Sequence, residues 1–391
     1  MKIVFWIALF IVFYTYIGYG ILLYIIIRLK RLFVGRPHEA VLPADEELPT
    51  MTLMICAYNE EDIVKEKMAN TLALDYPKDK FRIMWVTDGS NDHTNELLAA
   101  YPEVDIVFSP ERRGKTAALK HGLRELKTRY VAFTDANTMI NTGALREIAR
   151  LFSDPTVGCV SGEKRVAARK AGEMASEGEG LYWRYESTLK RWDSELYSAM
   201  GAAGELYAID PQLCREVPDE ALLDDFMLSM YVVQAGKRIA YTSDAYAREY
   251  GSANIYEESK RKRRIAAGGL QSIWWLRSML NPLRQPLVTF QYVSHRVLRW
   301  SITPVAMVLL LIVNIALVAM GAGTFYIVML ILQTLFYLMA LAGWLTNRFG
   351  YKNKLLYTAY YFVFMNFNVF RGMAYLRSHG KSGAWEKAKR S

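Results

Sequence analysis

Two acidic signatures lie in the middle of this 391-residue chain, Val86-Thr87-Asp88-Gly89-Ser90-Asn91-Asp92 and Phe133-Thr134-Asp135-Ala136-Asn137. Each Asp follows a short β-branched or aromatic run that ends in turn residues. Each is therefore expected at the C-terminal tip of a strand, where open α/β sheets bind ligands. A carboxylate at Asp88, beside a glycine, can accept hydrogen bonds from ribose hydroxyls or a base N–H. Asp135 and Asn137 place two oxygen-bearing side chains two residues apart. Hard cations such as Mg2+ or Mn2+ take such oxygens and complete their shell with substrate phosphates. The bland alternative for both segments is a turn.

Three further groups could take part. Lys115 follows Arg112-Arg113-Gly114 at a helix start, as a phosphate or nucleotide contact or as part of a solvated basic loop. Asp224-Asp225 opens an apparent helix, either as N-caps or as a carboxylate that deprotonates an incoming hydroxyl. Like charge on the neighbour would raise one of the two. The run Lys260 to Arg264 can neutralise charge on a departing diphosphate, or can contact a membrane surface.

The elements that must position these groups alternate in type. Strands are expected at 52–58, 82–87, 106–108 and 130–134, with helical stretches between them, including 115–127. That order implies a mostly parallel sheet covered on both faces. Residues 160–250 read as mixed. Their aromatics (Tyr182, Trp183, Tyr185, Trp192, Tyr197) suit either core packing or a sugar-stacking wall.

Hydrophobic residues make up 52% of the chain and are unevenly spread. Residues 3–27 carry no charge and are long enough to span a bilayer. Arg28, Lys30, Arg31 and Arg36 follow, which places the next domain in the cytoplasm. The net charge of +9 clusters at membrane edges, which suits lipid head groups and argues against nucleic acid. Three cysteines (Cys56, Cys159, Cys214), few and without metal-ligand spacing, fit a reducing compartment.

The expected organisation is an anchor at 1–32, a linker at 33–49 and an α/β domain at 50–270. An interfacial segment at 271–299, transmembrane helices at 300–377 and a basic tail at 378–391 complete it. Within 300–377 the apolar stretches are 301–320, 324–345 and 355–376. The last holds Asn366, Asn368 and Arg371, costly in hydrocarbon, and is only marginally favoured as a span over a re-entrant or interfacial position.

Taken in order, Ala57-Tyr58-Asn59-Glu60-Glu61, Asp88-Gly89-Ser90-Asn91-Asp92, Gly114-Lys115, Asp135-Ala136-Asn137, Gly204-Glu205-Leu206-Tyr207-Ala208 and Asp224-Asp225 resemble membrane-bound family-2 glycosyltransferases. These are relatives of the catalytic subunits of cellulose and poly-N-acetylglucosamine synthases. The resemblance implies an α/β fold of GT-A (Rossmann-like) type, cytoplasmic and fused to transmembrane α-helices. It implies an inverting enzyme of the cytoplasmic membrane that takes a nucleotide-diphosphate sugar, UDP-linked by family habit, with Mg2+ or Mn2+. The acceptor would be lipid-linked or a saccharide.

By position, Ala57, Tyr58, Glu60, Asp88 and Lys115 would line the nucleotide pocket, Asp135 and Asn137 would hold the metal, and Asp225 would be the base. Arg264 would assist the leaving group, and Trp183, Gly204, Glu205 and Asp224 would face the acceptor. Two departures stand out. Asn137 replaces the second Asp of the DxD motif. The QxxRW motif of processive synthases appears as Arg261-Lys262-Arg263-Arg264-Ile265, keeping only its Arg, which weighs against chain polymerisation. A processive synthase and a noncatalytic membrane scaffold are the rival readings. The residues leave donor sugar, acceptor and oligomeric state open.

Overall fold

The computed structural model describes residues 1–35, 41–167, 174–250, 255–349, 351 and 353–379. Arg36, Lys352, the Tyr182 side chain and the basic tail from residue 380 onward lie outside the described residues.

An eight-stranded sheet forms the centre of the α/β domain. Its strands are β1 (Met51–Ala57), β2 (Phe81–Asp88), β3 (Val104–Ser109), β4 (Tyr130–Asp135), β5 (Met139–Ile140), β6 (Val157–Ala167), β7 (Tyr207–Ile209) and β8 (Arg238–Tyr250). They are ordered β3-β2-β1-β4-β7-β6-β8-β5. The first four pair in parallel with one another, as expected. The second half is mixed. β7 runs antiparallel between β4 and β6, β8 is parallel to β6, and β5 is antiparallel to β8. The expectation of a mostly parallel sheet therefore describes the first half only.

Burial on both faces explains why β1 reads Met-Thr-Leu-Met-Ile-Cys-Ala without alternation. One face packs Leu53, Ile55 and Trp85 against helices carrying Met68, Leu98 and Ile148. Leu145, Ile148, Ala149 and Phe152 form the inward stripe of the helix Ala144–Phe152, and Phe152 stacks on Tyr130 at 3.9 Å. The opposite face packs Met54, Val86 and Phe133 against Leu119, Phe226 and Met230, then against Met279, Tyr292 and Val297. This second core joins the sheet to the helical base.

Among the described residues, three helices are long and apolar enough to cross a membrane: Lys2–Val34, Pro286–Ala319 and Thr324–Arg348. They expose large apolar side chains along their length, among them Phe10, Ile25, Ile312, Ile331 and Leu338, as a lipid-facing surface requires. The helix Pro286–Ala319 begins well before the apolar stretch expected at 301. Ser294, His295, Arg296 and Arg299 interrupt its hydropathy, yet all four are buried: Glu186 and Asp193 of the helix Met174–Leu196 pair with His295, Arg296 and Arg299, and Ser294 bonds the Tyr14 hydroxyl. Residues 286–299 therefore belong to a continuous helix.

The helix Lys354–His379 is not among the three candidate spans. Its polar groups face protein. Asn366 accepts from the Tyr16 hydroxyl at 2.6 Å, Asn368 accepts from Ser259, and Arg371 donates to Ser259 at 2.5 Å. At the other end of the bundle Arg31 makes a bidentate pair with Glu195 at 2.5 and 2.6 Å. Lys30 caps the carbonyls of Glu195 and Leu196, which are C-terminal carbonyls of a helix and attract cations.

Candidate active site

The strand ends set the geometry. Ala57 pairs with Thr87, and Cys56 pairs with Asp135. Asp88 and Asp135 therefore stand on either side of β1. With strands ~4.8 Å apart, their backbones are roughly 10 Å from one another.

The Asp88 side is knitted closed. Asn59 adopts a left-handed φ of 51°, tolerated by Asn because its short amide can bond locally. Its amide exchanges hydrogen bonds with the Asn91 side chain at 2.7 Å and the Asn91 N–H at 3.0 Å. The Glu60 N–H donates to Thr94, and the Glu61 N–H donates to Asp92. Asp88, 5% exposed, accepts from the backbone N–H of Arg113 and, at 2.6 Å, from that of Gly114. The chain reaches Asp88 so closely that a Cβ at Gly89 (φ +67°) would lie 2.5 Å from the Arg112 nitrogen. The Arg112 guanidinium sits 3.9 Å over the Tyr58 ring. Asp88 thus sets the loop from which Lys115 projects.

Lys115 then crosses to the second strand end. Its ammonium donates to Asp135 at 2.7 Å and lies 3.9 Å from Asp224. Desolvation in the cleft opposes its charge, but Asp135, Asp224 and Asp225 outweigh that and hold its pKa well above the ordinary value. Lys115 thereby bridges Asp135 and Asp224. Beneath Asp135, buried Lys67 donates to the Thr138 carbonyl at 2.6 Å and to Thr134. Burial lowers its pKa to about 7.

Asp224 and Asp225 are the first two residues of the helix Asp224–Gln234, and Leu223 occupies the cap position. They sit at the positive end of the helix dipole without capping it. Desolvation and the Asp224 charge raise the Asp225 pKa to about 6, with Lys115 and the Phe226 N–H opposing. Gly204 is where that carboxylate finds room, because a Cβ there would stand 2.8 Å from Asp225 Oδ2. Glu205 bonds Lys164 at 2.5 Å. Burial would raise its pKa, yet Lys164 and Arg261 hold it below the usual carboxylate range.

These groups line one cavity of about 450 Å3. Lys115, Asp135, Trp183, Gly204, Glu205, Asp224, Asp225 and Arg264 all border it. Ala57, Tyr58, Glu60, Asp88 and Asn137 do not; they belong to the neighbouring strand-end loops. Of the aromatic cluster, Trp183 and Tyr185 border the cavity, whereas Trp192 packs on Tyr24 and Tyr197 joins the core. Phe362, Met365 and Val369 of the helical base also line it.

No group of three His, Cys, Asp or Glu side chains among the described residues is poised to hold a metal unaided. One carboxylate and one amide at a strand end fit a hard cation that draws its other ligands from phosphate and water.

The sequence reading passed over Glu186, Lys190 and Asp193. Their spacing of four and three residues puts them on one face of the helix Met174–Leu196. That spacing was a usable signal, masked by the surrounding surface-like composition. Glu186 receives Arg296 at 2.7 Å and Arg299 at 2.9 Å. Burial opposes its charge, but Arg296, His295 and Arg299 hold its pKa well below the usual range.

A parallel Rossmann-like half-sheet with acidic residues at its strand tips, seated on membrane-spanning helices, defines a GT-A-like domain of a membrane protein. Residues 52–209 match the family Glycosyl transferase family 2. The chain is 35% identical over 125 residues to a poly-beta-1,6-N-acetyl-D-glucosamine synthase of Staphylococcus aureus, covering 31% of this chain and 30% of that one. The matched part thus spans under a third of that relative's length. It is 25% identical over 259 residues to a beta-monoglucosyldiacylglycerol synthase of Synechocystis, covering 62% of this chain and 53% of the relative. The whole fold is similar to a mannosyltransferase from Pyrobaculum calidifontis solved with GDP-Man and Mn2+, with a TM-score of 0.69 and 21% identity over 95% of this chain and 98% of that one.

Proposed function

We propose that this protein transfers a sugar, with inversion, from a nucleotide-diphosphate sugar to a lipid-linked or saccharide acceptor at the cytoplasmic face of the membrane. UDP is the expected nucleotide, and the pathway makes a polysaccharide or glycolipid. The observation that carries the reading is the placement of Asp225. It is a carboxylate with a pKa of about 6, held in one cavity with Lys115, Asp135 and Arg264. A base poised near the working pH is what deprotonation of a hydroxyl needs.

The donor's nucleotide lies along the loops of Ala57, Tyr58, Glu60 and Asp88, and its diphosphate reaches Lys115. Asp135 and Asn137 are the residues that would hold Mg2+ or Mn2+. That cation, when bound, neutralises charge on the departing diphosphate. Asp225 takes the acceptor's hydroxyl proton. The acceptor oxygen bonds to the anomeric carbon as the bond from that carbon to the diphosphate oxygen breaks, and the nucleoside diphosphate leaves. Arg264 and Lys115 receive its negative charge. Trp183, Gly204, Glu205 and Asp224 border the acceptor.

A processive synthase is the second reading, favoured by similarity to the staphylococcal enzyme. Ile265 in place of the motif's Trp disfavours it. Radiolabelled donor separates the two, because single addition gives a discrete lipid-extractable product and processive addition gives a ladder. Asp225→Asn is expected to lower transfer by about 10²–10⁴-fold while nucleotide binding persists. Full turnover in that variant would remove Asp225 from the role.

A further inference from the structure

Lys190 lines the cavity midway along the helix Met174–Leu196 and is only 4% exposed. Its ammonium has no hydrogen bond and no ion pair among the described residues. That is costly, since a buried charge normally persists only with a partner. The carboxylates of Glu186, Glu205 and Asp225 favour its charge, but none of them makes an ion pair with it. Glu186, one turn earlier, is engaged by Arg296, Arg299 and His295. Glu205 is engaged by Lys164. Burial and Arg296 lower the Lys190 pKa to about 8, so it is still mostly charged at neutral pH. A buried ammonium that makes no direct pair among the described residues, on a cavity also lined by Arg264, Arg296 and Arg299, is a candidate anion site.

The rest of the cavity says what kind of anion. Lys115, Asp135 and Asp225 border it, and so do the apolar side chains of Phe362, Met365 and Val369 from the helix Lys354–His379. A ligand that satisfies Lys190 and these apolar side chains carries a hydrocarbon chain and an oxyanion head.

We propose that Lys190 binds the phosphate of a phosphate-bearing lipid acceptor, whose chain lies along Phe362, Met365 and Val369. This deepens the transferase reading and rests on it. The phosphate seats the head group at Lys190, and the apolar wall keeps the tail toward the membrane helices. Together they present the nucleophilic oxygen of the head to Asp225. Free phosphate, or the donor's diphosphate, offers the same oxyanion chemistry without the tail.

The full chain in dodecyl maltoside micelles provides the test. Dodecyl phosphate, dodecanol and inorganic diphosphate are titrated separately, read by the fluorescence of Trp183 and Trp300, which line the cavity. Dodecyl phosphate is expected to bind, K190M to weaken it by about tenfold or more, and K190R to keep affinity within about threefold. Dodecanol binding should be the same in wild type and K190M. K190M is expected to fold, since replacing an unpartnered buried charge by an apolar side chain is often neutral or stabilising. Retained nucleotide binding verifies this in each variant. Equal binding of dodecyl phosphate by wild type and K190M overturns the proposal. So does displacement of dodecyl phosphate by inorganic diphosphate from wild type but not from K190M, which would assign the cation to the donor. The readout needs no turnover, so this result stands apart from that of Asp225→Asn.

Discussion

Asp88 and Asp135 end two strands that flank the same central strand, yet their surroundings differ. Asp88 is buried and saturated by backbone N–H groups of Arg113 and Gly114. Asp135 is partly exposed, borders the cavity and has one side-chain partner, Lys115. The difference teaches that position at a sheet edge is not enough to assign a carboxylate its chemistry. What matters is how many of its lone pairs the fold has already used. Asp88 spends its acceptors on holding a loop. Asp135 keeps acceptors for a ligand.

The contrast can be broken by exchanging the expected losses. Asp135→Ala should cut transfer by more than ~10²-fold, since charge stabilisation by a bound cation is worth several kcal/mol. Its thermal midpoint should scarcely move, because a solvent-accessible ion pair contributes only about 0–1 kcal/mol. Steady-state rates beside a melting curve check both. Asp88→Ala should do the reverse in order of severity. It leaves N–H donors of Arg113 and Gly114 without acceptors, at ~1–3 kcal/mol, so the melting midpoint falls first and donor affinity weakens with the loop. A stable Asp88→Ala beside an unfolded Asp135→Ala would erase the distinction.

The smallest effect sharpens the chemistry of the cavity. Burial and Asp224 raise the Asp225 pKa to about 6; as the proposed base it must be unprotonated, so the rate is expected to fall as pH drops through about 6. Asp224 is a main cause of that elevation after desolvation. Asp224→Asn removes the like charge, eases ionisation of Asp225 and should move the acid limb to lower pH. A limb that stays in place, or moves upward, would show that Asp224 does not set the pKa of its neighbour.

Much of this was legible in the residues. Runs such as Leu53–Ala57 and Val131–Phe133 are apolar because buried parallel strands must be, and the strand ends are marked by turn residues. Strand ends then locate Asp88 and Asp135. The charge-free run at residues 3–27 is long enough to identify itself. Less was legible in the second half of the sheet, where β7 has three residues and β5 has two, too short for any periodicity. The start of the helix Pro286–Ala319 was hidden by His295, Arg296 and Arg299, whose partners lie about a hundred residues earlier in the chain. That the polar residues of the helix Lys354–His379 face protein was likewise not visible in local pattern.

Local pattern, then, was sufficient for the strand tips, the acidic side chains on them and the apolar helices, since each depends on neighbours close in the chain. Tertiary structure alone decided which carboxylates are used up and which remain open. It joined Lys115 to Asp135 and Asp224, raised Asp225 by burial beside a like charge, and left Lys190 isolated in a cavity that reaches the membrane helices. Desolvation and pairing arise from groups distant in the chain, and no spacing along the sequence records them.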